Sequence, residues 1–262
     1  MSDLPLLFLP QKSLRPDTPE GGLEHTYMWR LLEQLAKQEI HTWTPLAWWL
    51  AREVGDVPER VGLILPPTNG ACAVALYARA LAPFAASALL PVIPSALEQS
   101  GEEDLLERDL AALSGLGLVP VSCGWTGRPL VGLPLAELRS ELVKSHAFFT
   151  AATGARAVVL VPRPNALGVA VDGLVLREAR AAGFQRIITE PLQPLRGDDA
   201  EGWWRAVRCE QEDPPAQVIA WARDGASRTA QVTRAARVIV RRGQKVGARL
   251  LGRLRGTSDE DA

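Results

Sequence analysis

The stretch LPLAELRSELVKSHAFFTAATGARAVVLVPRPNALGVAVDGLVLREARAAGFQRIITE, from Leu133 to Glu190, carries the clearest fold signal in the sequence. It predicts one helix over Leu135 to Thr153, closed by Gly154, and a second over Asp172 to Ala182, closed by Gly183. Glycine is the usual residue just past a helix C-terminus, which supports both ends. An apolar run of strand length follows each helix, so the stretch predicts repeated helix-strand units.

Apolar runs of strand length recur along the rest of the chain and alternate with helical patterns. Thr26 is predicted to cap one intervening helix, and Thr44 another that has Pro45 at its first position. The candidate strands are Leu6 to Leu9, Ile40 to Trp43, Val61 to Leu65, Ala85 to Val92, Leu118 to Ser122, Ala157 to Val161, Arg186 to Thr189 and Gln217 to Trp221. Seven or eight such strands favour a (β/α) barrel, complete or incomplete, although the alternation also fits an open doubly wound sheet.

Composition favours one large domain and sets the end of the chain apart. The 262 residues are 47% apolar and carry a net charge of −1, which suits a single large core. Residues 225–262 hold nine Lys/Arg and three Asp/Glu, a net charge of +6, so residues 1–224 carry −7. We therefore expect a barrel over residues 1–224 and a basic C-terminal helix or tail over residues 225–262.

The tail has no acidic residue from Arg228 to Arg255, and apolar residues are interspersed among its nine basic ones. This pattern can form a basic amphipathic helix, a type that lies on anionic membrane surfaces or on acidic protein partners. The alternative is a solvated helix packed on the barrel. Nucleic acid is not expected as a partner, because the body is acidic and no recognition motif accompanies the basic stretch.

The cysteines and the N-terminus indicate the compartment. Cys72, Cys123 and Cys209 are odd in number and widely spaced, so neither a disulfide framework nor a structural zinc site is expected. The first residues, MSDLPLLFLP, lack a basic region and confine their apolar run between two prolines, unlike a signal peptide or a membrane span. We expect a cytoplasmic protein, membrane-peripheral where the tail binds a membrane.

One predicted strand leads into a loop that lacks charge. The segment VGLILPPTNG, Val61 to Gly70, has the pattern of a buried strand followed by a loop at the strand's C-terminal end. Barrel enzymes keep their active sites at such loops. Here the loop begins with Pro66 and Pro67, whose side chains neither titrate nor bind a metal.

Leu133 to Glu190 resembles the second half of a polysaccharide deacetylase domain, a NodB-type carbohydrate esterase. In that family a helix that begins Leu-Ser/Pro-x-x-x-Leu and ends in Thr-Gly leads to a strand, an Arg-Pro-Pro-Tyr-Gly loop, and a helix that ends Ala-Gly-Phe/Tyr. Upstream, WRLLEQLAKQEIHTWTPLAWWLA is similar to the helix, strand and helix ahead of the family's first catalytic motif. The resemblance covers about residues 6–222. It implies a distorted or incomplete (β/α) barrel of about seven strands, with the site at the strand ends.

The resemblance also implies a particular chemistry, which the matching residues lack. The family binds a divalent metal through one Asp and a His-x-x-x-His pair, and a neighbouring Asp is the base. The Asp-Asp pair, at the end of a strand that closes Thr-Phe-Asp-Asp-Gly, corresponds to Pro66 and Pro67. The His pair corresponds to Cys123 and Gly127. We therefore predict no metal, no other cofactor and no catalytic residue at these positions.

The remaining family positions are altered as well. Pro162 stands where the Arg-Pro-Pro-Tyr-Gly loop begins, and the arginine is displaced by one residue to Arg163. The late Leu-His motif, whose histidine is the family's general acid, corresponds to QVIAWARD, with Ala220 or Trp221 near the histidine position. The early Tyr-His is replaced by Phe8-Leu9-Pro10.

A relocated site is the alternative. It requires a carboxylate to converge with Cys123 or with a histidine. The histidines are not spaced as a ligand pair, and carboxylates near element ends are usually only solvated charge. The candidates are His25, His41, His146, Asp56, Glu59, Asp172 and Asp224.

Eight of the fifteen aromatic residues are tryptophan. Trp43, Trp125 and Trp221 are predicted at or just past strand ends, where indole faces can stack on sugar rings. Neighbouring loops supply hydrogen-bonding groups for hydroxyl or carboxyl groups at Asn69, Arg128 and Arg163. The alternative is that Trp43 fills the core and Trp125 fills space vacated by the metal and its ligands, while Trp203 and Trp204 anchor a short helix.

Three hypotheses follow. The first is an inactive polysaccharide-deacetylase-like protein that binds a saccharide or supports a partner in polysaccharide metabolism, and the sequence favours it. The second is a deacetylase or esterase of acetylated carbohydrate with a relocated or metal-independent site. The third is a membrane-peripheral scaffold that acts through the basic tail.

Overall fold

The computed structural model describes residues 6–10, 22–42, 60–98, 107–154, 158–166, 169–189, 203–209 and 213–223. Several predictions concern residues outside these ranges. They are the helix capped by Thr44, the rim position of Trp43, the roles of Asp56, Glu59 and Asp224, and the basic tail over residues 225–262.

Within the described residues, eight parallel strands form the sheet. They are β1 (Leu6–Phe8), β2 (His41–Thr42), β3 (Arg60–Ile64), β4 (Ala88–Val92), β5 (Leu118–Ser122), β6 (Val159–Leu160), β7 (Arg186–Thr189) and β8 (Trp203–Arg208). Their order is β1-β8-β7-β6-β5-β4-β3-β2, and β1 also pairs with β3. The second pairing closes seven strands into a ring and leaves β2 beside the start of β3. The fold is therefore the distorted (β/α) barrel that the sequence predicted.

The helices of the described residues cover the outside of the sheet. They are α1 (Tyr27–Lys37), α2 (Ala71–Leu81), α3 (Pro94–Leu97), α4 (Leu110–Leu113), α5 (Leu135–Thr153), α6 (Gly173–Ala181) and α7 (Pro215–Arg223). Thr26 caps α1 by accepting a hydrogen bond from the backbone N–H of Trp29, as predicted. Asp172 caps α6 in the same way through Val175 N–H, at 2.8 Å. Both ends of α5 agree with the sequence prediction.

The side chains of the strands divide between two apolar cores. Successive residues of a strand point to opposite faces of the sheet, so Leu6 lies in the inner core and Leu7 in the outer one. The inner core is aliphatic and fills the ring: Leu6, Ile64, Leu89, Val121, Val159, Val161 and Ile188. The outer core joins the sheet to the helices. The ring below the strand ends is thus solidly packed, as in other small barrels.

One predicted strand is wrong. Gln217 to Trp221 belongs to helix α7, which begins at Pro215 and packs against α1. Proline is well suited to the first turn of a helix, and this signal outweighs the apolar run that suggested a strand. The strand at this point of the fold is β8, where Trp203 pairs with Ile187 of β7. Trp203 and Trp204 therefore belong to the barrel and do not anchor a helix.

Candidate functional site

The carboxyl ends of β3, β4, β5 and β6 lie side by side in the ring, because the strands are parallel neighbours. Four loops leave these ends. Together they are called the rim, which comprises residues 65–70, 93–95, 123–128 and 161–165. A barrel of this kind carries its site at this end. Most of the site positions indicated by the sequence therefore lie in the rim.

Asn69 ties the first two rim loops together. Its side-chain amide donates a hydrogen bond from Nδ2 to the carbonyl oxygen of Ile93 at 2.9 Å, and its Oδ1 accepts one from Ile93 N–H at 3.2 Å. One donor and one acceptor of this predicted ligand-binding residue are therefore used inside the protein. The preceding residues at the end of β3, Pro66 and Pro67, are buried and exposed respectively.

Cys123 is fully buried at the end of β5, and its thiol donates a hydrogen bond to the carbonyl oxygen of Val92 at 3.1 Å. Burial raises the pKa of this thiol to about 12, against the smaller opposing effect of the positive charge of Arg163. The thiolate is the form of cysteine that binds metals and attacks substrates. Cys123 is therefore a neutral, unreactive thiol at neutral pH.

Gly127 and Ile93 occupy the space between the second and third rim loops. Gly127 has φ +66°, in the left-handed region, and a Cβ atom added there would lie 2.7 Å from Ile93 Cγ1. Such a separation is far inside van der Waals contact, and the backbone conformation is also strained for any residue but glycine. A side chain at position 127 would therefore require the Ile93 side chain to move.

A divalent metal does not fit the positions that the sequence resemblance assigns to it. Pro67 and Gly127 have no side-chain donor, and Cys123 carries a proton. Divalent cations of this kind need several deprotonated nitrogen, oxygen or sulfur ligands. Throughout the described ranges, no three His, Cys, Asp or Glu side chains come together in a metal-binding group.

Glu141 of α5 holds the β5 loop, and the sequence analysis missed it. This buried carboxylate accepts hydrogen bonds from Thr126 N–H at 2.9 Å, from Thr126 Oγ1 at 2.8 Å and from Arg128 Nε at 3.2 Å. Arg128 also pairs with Glu137 at 2.9 Å, one helical turn before Glu141. The Glu137/Glu141 spacing on a helix was the available signal. Arg128, predicted to bind a ligand, is thus paired with two carboxylates of α5.

Trp125 is half-buried in the same loop. Its indole packs edge-to-face against Phe148 of α5, with ring centroids 6.1 Å apart, and its carbonyl oxygen accepts a hydrogen bond from Ser95 N–H at 3.0 Å. The loop is therefore held to the neighbouring β4 loop and to α5. Of the tryptophans predicted at strand ends, Trp125 is the one that the structure describes there.

Arg163 follows β6, and its side chain is exposed. Its Nη1 donates a hydrogen bond to the carbonyl oxygen of Gly127 at 3.2 Å, which joins the third and fourth rim loops. Asn69, Ile93, Gly127 and Arg163 thus form a chain of contacts across all four loops.

The late family motif is misplaced by the sequence analysis. Ala220 and Trp221 lie on α7 and not at a strand end, and the last strand that the structure describes is β8. Cys209, which is buried, follows that strand directly. The sequence position expected to hold a general acid is therefore a helix position, and the residue after the last strand is a cysteine.

The described candidates for a relocated site lie in separate elements of the fold. His25 belongs to a short helical turn before α1, His41 is exposed in β2, and Asp172 caps α6. The ring of His146 packs edge-to-face on Phe184, with centroids 5.2 Å apart. None of the four belongs to a metal-binding group among the described residues.

Comparison with known proteins defines the class of fold. No protein-family model matches the sequence, and no curated protein sequence matches it. Solved structures do: the chain has the fold of the polysaccharide deacetylases, which confirms the resemblance seen in the sequence.

Three solved structures illustrate the match. The Streptococcus pyogenes deacetylase PplD has a TM-score of 0.66 and 12% identity over 84% of this chain and 97% of that one. IcaB from Ammonifex degensii has a TM-score of 0.63 and 15% identity, over 84% of this chain and 97% of that one. A de-N-acetylase from Aggregatibacter actinomycetemcomitans has a TM-score of 0.62 and 11% identity, over 83% of this chain and all of that one. At such low identity the similarity concerns the fold.

None of the described helices is long and apolar enough to cross a bilayer.

Proposed function

We propose that this protein, which has the polysaccharide deacetylase fold, is catalytically inactive. It binds a saccharide at the rim and thereby supports polysaccharide metabolism. The observation that carries the proposal is the set of internal contacts at the strand ends. Asn69 binds Ile93, Cys123 binds Val92, and Ile93 fills the space beside Gly127. Two of the three positions that the resemblance assigns to metal ligands, Cys123 and Gly127, thus take part in contacts within the protein.

The hydrolase alternative is less well supported. A relocated site needs a carboxylate that is free to accept a proton, together with Cys123 or a histidine. Glu141 of α5 is a buried carboxylate that contacts the rim, and both its oxygens accept hydrogen bonds from Thr126 or Arg128. The neutral, fully buried thiol of Cys123 is not a nucleophile.

The exposed groups of the rim favour a saccharide as the ligand. Trp125 is half-buried, and two polar residues of the rim, Thr126 and Arg163, are exposed. An aromatic face next to polar groups suits a sugar ring, which has an apolar face and hydroxyl edges. The hydrogen bonds between the loops preorganise these groups and lower the entropy cost of binding.

Isothermal titration with a panel of neutral and acidic oligosaccharides tests the proposal. We expect at least one to bind in the micromolar to millimolar range, and Trp125→Ala to weaken its binding about tenfold, or ~1.4 kcal/mol. Trp125→Phe retains an aromatic ring beside Phe148 and is the matched control, with a smaller loss. Failure of every oligosaccharide to bind would overturn the proposal.

The basic tail carries a second proposal, that the protein associates with an anionic membrane. The supporting observation is the charge pattern, nine basic and no acidic residues from Arg228 to Arg255. Each Lys or Arg near an anionic surface contributes about 1 kcal/mol. Replacing four of them with Gln, at Arg237, Arg241, Lys245 and Arg249, is therefore expected to abolish co-sedimentation with phosphatidylglycerol vesicles. Equal binding of neutral phosphatidylcholine vesicles, or an acidic protein partner without vesicle binding, would contradict it.

A further inference from the structure

Arg163 differs from the other arginines near the rim in its charge pairing. Arg128 is paired with Glu137 and Glu141. Arg139 and Arg177 both pair with Glu178, at 2.7 and 3.1 Å, on the adjoining helices α5 and α6. Arg163 has no carboxylate partner within the part of the chain that the structure describes, although its side chain is exposed. Its side-chain hydrogen bond within the described residues goes to a neutral carbonyl, that of Gly127.

The backbone that carries this guanidinium is restrained by its neighbours. Arg163 lies between Pro162, which is buried, and Pro164, and the proline rings restrict the chain. The loop is closed just beyond by Asn165, which donates its N–H to the carbonyl oxygen of Val169 at 2.8 Å and accepts Val169 N–H on Oδ1 at 3.0 Å. The ordering of this loop lowers the backbone part of the entropy cost of binding a ligand.

The guanidinium also lies near the strand ends and not far out on the surface. Its Nη1 contacts Gly127, and its positive charge lowers the pKa of the buried Cys123 thiol against the larger effect of burial. The guanidinium is therefore a positive charge at the rim, on a side chain that a ligand can reach.

We infer that Arg163 binds the carboxylate of an acidic saccharide, such as a uronic acid residue, whose ring lies against Trp125. After its bond to Gly127, the guanidinium retains donors on Nε and Nη2, which match the two oxygens of a carboxylate. The inference rests on the proposed saccharide binding and names the charge of the ligand.

Titration calorimetry with a matched pair of ligands tests the inference. The probes are a tetragalacturonate and its fully methyl-esterified form, which differ in charge and share the same sugar rings. The full chain is expected to bind the acid at least tenfold more tightly than the ester. Arg163→Gln is expected to bring the two affinities within twofold. Arg177→Gln, which removes an exposed arginine of α6, is expected to keep the preference.

Each contrary outcome has a distinct meaning. Equal affinity for acid and ester in the unmodified chain would overturn the inference and leave saccharide binding in place, whereas no binding of either would overturn both. An acid preference that survives Arg163→Gln would exclude Arg163 as its source. Inorganic phosphate that binds as tightly as the oligosaccharide, and only when Arg163 is present, would replace the saccharide assignment with a phosphate site. Thermal unfolding of Arg163→Gln within about 2 °C of the unmodified chain controls for folding.

Discussion

Gly127 and Ile93 interlock at the end of the barrel. A Cβ atom at position 127 would lie 2.7 Å from Ile93 Cγ1, and the glycine has φ +66°. The family resemblance puts the second histidine of a metal site at position 127. The isoleucine of the β4 loop thus fills the space beside the place where that side chain would begin.

Replacement of Gly127 by alanine is therefore expected to cost about 2–4 kcal/mol of unfolding free energy, from left-handed strain and overpacking together. Gly132→Ala is the matched control, because Gly132 has φ +88° with nothing within 4 Å of its added Cβ. It is expected to cost only the strain, about 1–2 kcal/mol. Urea denaturation measures both. Equal losses of unfolding free energy at the two glycines would contradict the claim that Ile93 obstructs a side chain at position 127.

Glu141 and Glu137 contact the same arginine from successive turns of α5, but their surroundings differ. Glu141 is buried and accepts three hydrogen bonds, whereas the side chain of Glu137 is half exposed. Glu141→Ala is expected to cost about 1–3 kcal/mol because it leaves the donors of Thr126 and Arg128 without their acceptor. Glu137→Ala is expected to cost less than about 1 kcal/mol, as for exposed ion pairs. Denaturation midpoints that reverse this order would contradict the role given to Glu141.

The raised pKa of Cys123 predicts that the protein loses stability in alkali. The unfolded chain releases the thiol proton near the ordinary pKa of 9.0, whereas burial holds the folded pKa at about 12. The stabilising contribution is therefore complete below pH 9 and declines as the pH rises from 9 towards 12, by about 1.4 kcal/mol for each pH unit. Unfolding free energies at pH 8 to 10.5 measure it. Cys123→Ala is expected to flatten the decline, and an unchanged slope would contradict the assignment.

The three cysteines are expected to react at different rates with a thiol reagent such as DTNB. Cys72 is exposed on α2, whereas Cys123 and Cys209 are buried. The folded protein at pH 8 should therefore show one fast thiol and the denatured protein three. Cys72→Ser removes the fast phase. A fast phase that persists in Cys72→Ser would show that a buried cysteine opens to solvent.

The fold was largely predictable because its signals are local. Helix α5 ends at Gly154, and β5 and β7 are short apolar runs bounded by glycine or polar residues. The error at the C-terminal end has the same origin. The strand β8 combines two tryptophans with two arginines and lacks clear alternation, whereas the apolar run in α7 resembles a strand. Which of the two enters the ring is decided by pairing with β7, which the sequence does not display.

The positions of the candidate site could be read from the sequence, but their contacts could not. Pro66, Pro67 and Gly127 could be placed against a known motif, because each stands in an ordered series of weak matches. The contacts between the rim loops, and between the rim and α5, could not be foreseen. Ile93 is 34 residues from Gly127 in sequence, and Glu141 lies 13 residues beyond Arg128 on another element. Such contacts follow from the closure of the barrel and have no signature in any single segment.

The most direct test of the proposed inactivity is acetate release from N-acetylated chito-oligosaccharides, measured with Zn²⁺, Co²⁺, Ni²⁺ or Mn²⁺ added in turn. With Pro67, Cys123 and Gly127 at the positions of the metal ligands, we expect a rate equal to that of the protein-free blank under every condition. Acetate release that a chelator abolishes and one of these metals restores would contradict the account.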